Sequence, residues 1–137
     1  MIQEIQRLNP ADLSDPSKYG FAHITIVPAA STLVYISGQF GEDKYGNPVS
    51  DDFTAQLKQS FSNLCTALAA VGATPEQVVK ITILSVAHDA EKQRLISIER
   101  NAMWLGEQKP TSTLIPVLRL AEEWMLFEID AVVAMHP

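Results

Sequence analysis

Residues 50–86, SDDFTAQLKQSFSNLCTALAAVGATPEQVVKITILSV, decide the fold. Phe53, Leu57, Phe61, Leu64, Leu68 and Val71 recur at three- and four-residue steps, which predicts one apolar stripe along about five turns of helix. Ser50 offers a hydroxyl N-cap, Asp51 and Asp52 put negative charge at the positive end of the helix dipole, and Gly72 ends the helix. Thr74-Pro75-Glu76-Gln77 combines a cap, a proline at the first helical position and a glutamine three residues after the cap, so a single helical turn is expected there. Val78–Val86 follows, β-branched and mostly apolar, with Lys80 and Thr82 on one face of a strand. A one-sided helix feeding a strand must lie on a sheet.

The flanks supply the rest of that sheet. Gln3–Leu8 alternates weakly as an edge strand, and Asn9 to Tyr19 is a loop rich in Pro, Asp and Ser. His23–Val27 and Leu33–Ile36 flank Pro28-Ala29-Ala30-Ser31 and read as a β-hairpin, with Gly38 closing its second strand and Gly41 to Pro48 an exposed loop. Downstream, Asp89 caps a second helix with a stripe of Leu95, Ile98, Ala102 and Leu105, ended by Gly106. Pro110 begins a strand through Leu120, and a last strand runs from Trp124 to Met135. The fold class is α+β, a mixed sheet with two helices on one face. No repeat, low-complexity tract or linker interrupts the chain, so residues 1–137 form one domain. The opposite sheet face, with Leu33, Tyr35, Leu118, Leu120 and the Val132-Val133 pair, is too apolar to be left to water, and self-association would cover it.

Composition narrows the function. A hydrophobic fraction of 47% and a charged fraction of 19% belong to a folded domain. Ten Lys and Arg scattered among sixteen Asp and Glu, net charge −6, leave no basic cluster, which argues against nucleic acid and anionic membranes as partners. Met1-Ile2-Gln3-Glu4-Ile5 lacks the basic start and apolar run of a signal peptide, and no stretch approaches the ~18 apolar residues of a spanning helix. Cys65 is the single cysteine, and with three scattered His it gives neither a disulfide nor zinc-ligand spacing. A cytoplasmic, metal-free domain is expected. Gly38, Gly41 and Gly46 do not form a phosphate-binding loop.

Several blocks arrive in a telling order: Tyr35-Ile36-Ser37-Gly38-Gln39, then Gly46-Asn47-Pro48-Val49, a Gln-rich helix start, and Gly72-Ala73-Thr74. Val78-Val79-Lys80-Ile81-Thr82-Ile83, Pro110-Thr111-Ser112-Thr113-Leu114 and Glu128-Ile129-Asp130-Ala131 follow. From about Phe21 to the C-terminus this ordered set resembles the YjgF/RidA family. The resemblance implies a chorismate-mutase-like subunit, a homotrimer, and small-molecule clefts between subunits. It also implies cofactor-free hydrolysis of reactive enamines and imines to a keto acid and ammonia. Carried over residue by residue, the water-directing Glu falls on Asp130, the cleft aromatic on Phe21, the backbone contact to the carboxylate on Gly38 and a backbone donor on Leu114. The carboxylate-binding Arg falls on Ser112, with Thr113 beside it. Losing that fork removes about 1.5–3 kcal/mol of charge-assisted contact. This sets the archetypal 2-imino acid activity against a neutral or hydroxyl-anchored ligand. Lys80 and Arg119 are the cations weighed as replacements, although Arg119 lies seven residues on, an odd offset that points it to the opposite face.

Each candidate has a plainer reading. Asp130 and Glu128 also make an ordinary polar stripe on a half-exposed strand, Ser112 and Thr113 ordinary strand positions, and Cys65 inert packing. His23 opens a strand beside Phe21 and reads as a hydrogen-bonded structural histidine, while His88 and His136 read as solvated. Asn101 could face the cleft, Trp104 and Trp124 read as packing, and Tyr45 as a lid or surface residue. Three functional classes follow: an imine or enamine hydrolase directed by Asp130, a non-catalytic small-molecule binding or sensing module, and a protein-interaction role through exposed apolar surface.

Overall fold

The computed structural model describes residues 3–136; Met1 and Ile2 of the N-terminal start, and Pro137 at the end of the expected domain, lie outside the described residues. Among the described residues six strands and two α-helices follow in the order β1 (Gln6–Leu8), β2 (Ile24–Ile26), β3 (Thr32–Phe40), α1 (Phe53–Ala70), β4 (Val78–Val86), α2 (Ala90–Met103), β5 (Thr111–Val117) and β6 (Phe127–Met135). The main sheet has the order β3-β6-β4-β5, parallel between β4 and β5 and antiparallel elsewhere. This is the expected α+β arrangement of a mixed sheet and two helices.

The stripe of α1 is buried as read from Phe53 to Leu68, whereas Val71 is exposed. The N-cap is Asp52 rather than Ser50: its carboxylate accepts from Ala55 N at 2.9 Å, and the Ser50 hydroxyl accepts from Asp52 N at 2.9 Å. Gln77 Oε1 accepts from Thr74 N at 2.9 Å and tightens the turn that launches β4. Phe61, Trp104, Phe127 and the aliphatic residues of β4 and β6 meet α1 in one core.

Four expectations need correction. β2 and β3 do not form a hairpin: β2 pairs with β1, and β3 with β6. β3 and β6 each offer nine residues to the ladder and β2 only three, so the long partners claim each other. β3 also runs past Gly38 to Phe40, because an irregularity between Ile36 and Gln39 absorbs the shift in register. β5 stops at Val117, leaving Leu118 fully exposed; β6 starts at Phe127, because a turn closed by Met125 N on Glu122 O occupies the preceding residues. Finally, α2 buries Ile96 and Arg100, with Trp104 at its C-cap, not the stripe through Ile98 and Leu105, which are exposed. Arg100 occupies a core-facing position, and treating it as a solvent residue shifts the apparent phase of the helix.

Register fixes which side chains share a face. Ile81, Ile83 and Ser85 of β4 align with Ala131, Ile129 and Phe127 of β6 and with Ser112, Leu114 and Pro116 of β5, all on the helix side. Lys80, Thr82 and Leu84 align with Val132, Asp130 and Glu128 and with Thr111, Thr113 and Ile115 on the open side. Of the apolar residues expected there, Leu33 and Tyr35 are exposed, but Val133 belongs to the core and Leu120 is buried. β5, like β3 at the other edge, is an outer strand of the sheet, and it carries Pro116, a residue that central strands exclude. Among the described residues, no helix is long and apolar enough to cross a membrane.

One buried amide ties these layers together. Gln56 Nε2 donates to Ser50 O and Trp124 O, both at 2.9 Å, and its Oε1 accepts from Leu126 N at 2.8 Å. Gly41 packs so close that a Cβ there would fall 2.7 Å from Gln56. Gln56→Leu strands three backbone groups, each costing about 1–3 kcal/mol if left dry. The expected loss is at least about 3 kcal/mol in urea unfolding with an unchanged m-value. A loss below about 1 kcal/mol would show that water replaces the amide freely.

Candidate functional site

Ser112 and Thr113 are neighbours on β5 and therefore point to opposite faces. Ser112 lies toward α2, where Arg100 Nη1 donates to its hydroxyl at 3.0 Å. Arg100 is 2% exposed, and its guanidinium carbon lies 5.4 Å from the centre of the Phe21 ring. Its Nη2 reaches Ser97 Oγ only at 3.5 Å, and its buried Nε has no hydrogen-bond partner among the described residues. Burial lowers its pKa to about 10, so it remains a cation at neutral pH.

Phe21 is placed by the backbone. Ala22 N donates to Pro110 O at 2.8 Å and Ala22 bridges Thr111 in parallel, laying the segment along the outer edge of β5. Gly20, at φ 87°, lets the chain turn against α2, where a Cβ would fall 2.6 Å from Arg100 Cβ. Phe21 also lines a cavity of about 550 Å³ with Arg7, Asp15, Glu107 and Lys109. Lys109 is buried, and its ammonium donates to Trp104 O at the C-terminal end of α2 and to Asn101 Oδ1, a capping role. Asn101 also donates to Lys18 O and Ser97 O, so it holds structure together. Leu114 packs its side chain against the core, leaving only its backbone for a ligand.

The acids stand on the open face. Asp130, Thr82 and Thr113 form one cross-strand row, and Asp130 Oδ1 accepts from Thr82 N at 3.0 Å. Glu128 lies over Gly38, where an added Cβ would fall 2.5 Å from the Glu128 carboxyl carbon. Burial, and secondarily the negative charge of Asp130, push the Glu128 pKa up. Asp130 is exposed, whereas Glu128, two residues back, is half-buried.

The expected residues therefore divide. Phe21 and Ser112 gather beside Arg100, with Leu114 two residues along the same face of β5, while Asp130, Thr113 and Gly38 lie with Glu128 across the sheet. Lys80 is exposed on the open face, and Arg119 lies beyond β5, donating to Leu120 O and Ala121 O; neither contacts Ser112. Sequence reasoning misses Arg100 because helical cations usually face water; its i, i+4, i+8 spacing with Ile96 and Trp104 is the available signal. His23 is structural, with its ring against Ser14 O. His88 is not solvated but half-buried between Ser85 Oγ and Gln93 Oε1. Cys65 is exposed rather than packed, with desolvation raising its thiol pKa. Trp104 donates to Pro75 O inside the core, Trp124 sits edge-on to Phe40, and Tyr45 is exposed.

The family model described as Endoribonuclease L-PSP matches residues 18–135. A RutC family protein of Pyrococcus horikoshii is 31% identical over 105 residues, spanning 75% of this chain and 79% of its own. The RutC family protein YjgH of Escherichia coli is 28% identical over 89 residues, spanning 65% of this chain and 66% of its own. Among solved structures, that of the Rid family protein YyfB from Yersinia pestis matches with a TM-score of 0.90 at 28% identity, across 96% of this chain and 99% of that one.

The Glu128 shift has a signed consequence. A carboxyl whose pKa is higher folded than unfolded favours folding while protonated, and loses that advantage as pH rises through its folded pKa. Glu128→Gln is therefore expected to melt close to wild type near pH 4 and above it near pH 7. A difference independent of pH would remove Glu128 as a strained acid.

Proposed function

The chain belongs to the YjgF/Rid family described by the Endoribonuclease L-PSP model, and from that footing we propose a cytoplasmic hydrolase of an enamine, imine or related small metabolite, working in clefts between copies of a homotrimer. The observation that carries this reading is the acid pair on the open face: Glu128 held above Gly38 with a raised pKa, and Asp130 in the same cross-strand series.

Hydrolysis of an imine adds water to the carbon, moves protons to nitrogen and expels ammonia. A C–O bond forms, the C–N bond breaks, and no electrons leave the system. In the proposed mechanism Asp130 takes the proton as water adds, and Glu128 stands ready to hand one to nitrogen. The Gly38 backbone and Thr113 hold the substrate from the acid side. Ser112, the Leu114 backbone and the Phe21 wall hold it from the other. One chain presents these two sets on opposite faces of its sheet, so a ligand touching both calls for a second copy. Exposed Leu33, Tyr35 and Ile115 give that copy apolar surface to cover. RNA cleavage, the activity in the family's description, has less support here, because sixteen acids against ten Lys and Arg leave no basic face for a phosphate chain.

The test is release of keto acid and ammonia from freshly generated imines, one set bearing a carboxylate and one lacking it. Asp130→Ala is expected to lose roughly 100-fold or more in turnover while the assembly mass by light scattering stays unchanged. Unchanged turnover removes Asp130 from the mechanism. Absence of turnover in the wild type, with either set, moves the function to ligand binding without chemistry.

A further inference from the structure

Arg100 is the one group in this site whose burial its own contacts do not explain. A cation removed from water is ordinarily matched by a carboxylate, because desolvation otherwise disfavours it strongly. Among the described residues Arg100 has no such partner. It makes one hydrogen bond of good length, to Ser112, and faces the Phe21 ring. Its place in the last turn of α2 offsets part of the cost through the helix dipole. A methionine would fill the same space between Ile96 and Trp104 without that cost.

The unused part of the guanidinium has a definite shape. Nη1 is committed to Ser112, which leaves the edge formed by Nε, with no partner, and Nη2, with only a long contact to Ser97. Two parallel N–H groups on one edge match the two oxygens of a carboxylate. A single guanidinium fits one negative charge; the nearby Lys109 is already committed to Trp104 O and Asn101. The Phe21 ring lies against the guanidinium, its centre 5.4 Å from the guanidinium carbon, and also lines the neighbouring cavity, so a ligand arriving from that side meets this ring first.

We infer that Arg100, reaching from α2 to the position where Ser112 stands on β5, is the carboxylate-binding residue of this site, and that the ligand is a carboxylate-bearing small molecule, an imino acid rather than a neutral imine. The location rests on the function proposed above, but the anion preference does not require turnover.

The two are separated by measuring binding and chemistry independently. Wild-type protein is titrated with pyruvate and with its neutral amide, pyruvamide, followed by calorimetry or NMR. Pyruvate is expected to bind more tightly. Arg100→Gln should weaken it roughly 10- to 100-fold and leave pyruvamide unchanged, with Arg100→Lys falling between them. If Arg100→Gln does not fold, Arg100→Lys and the wild-type pyruvate-to-pyruvamide ratio decide. Equal wild-type affinity for the two probes, or pyruvate binding indifferent to both substitutions, overturns the inference. Pyruvate discrimination that depends on Arg100, in a protein that turns over neither imine set, upholds the inference while the hydrolase reading fails.

Discussion

The fold depends on the buried side-chain amide of Gln56. Its three hydrogen bonds join the loop entering α1 to the segment entering β6, two stretches about seventy residues apart in sequence. β6 is paired on both sides, with β3 and with β4, so wherever its entry is pinned the register of the sheet follows. Glu128 lies two residues beyond Leu126, whose amide Gln56 holds, and Asp130 two beyond that. A polar residue in the core thus aims the acids on the far face, and Gly41 is small because Cα and the aliphatic stem of Gln56 fill the space a Cβ would need.

Across the sheet the logic is reversed. There the notable group is an unsatisfied one. Where the family resemblance puts a guanidinium on the strand, this chain has a hydroxyl, and a guanidinium reaches that hydroxyl from the helix packed over it. The hydroxyl accepts the hydrogen bond that orients the arriving group.

What is legible in the sequence is whatever a single element decides for itself. The α1 stripe and the limits of β4 follow from local periodicity, and the two faces of β5 and β6 from alternation, so Glu128 and Asp130 can be placed together. What is not legible depends on remote partners. β3 adjoins β2 in sequence, which suggests a hairpin, whereas its ladder is completed by residues near the C-terminus. The α2 stripe is displaced because Arg100 breaks the rule that cations face water, and only the packed structure shows the Phe21 ring and Ser112 hydroxyl that receive it. The difference between Asp130 and Glu128 is also out of reach, since alternation gives both the same face while burial and the nearness of Gly38 distinguish them.

The outer strand β5 carries one more implication. A sheet edge with free backbone donors and acceptors is a template for further strands, and an edge with exposed Ile115 on it and Leu118 just beyond it is at risk of stacking without limit. Ala22 already occupies the start of that edge through its bridge to Thr111. Near the other end Pro116 interrupts the donor series, the strand stops at Val117, and Arg119 stands two residues further on. An incoming strand meets a missing N–H and then a charge. Pairing along this edge is confined to a few residues, which favours small closed assemblies over fibres.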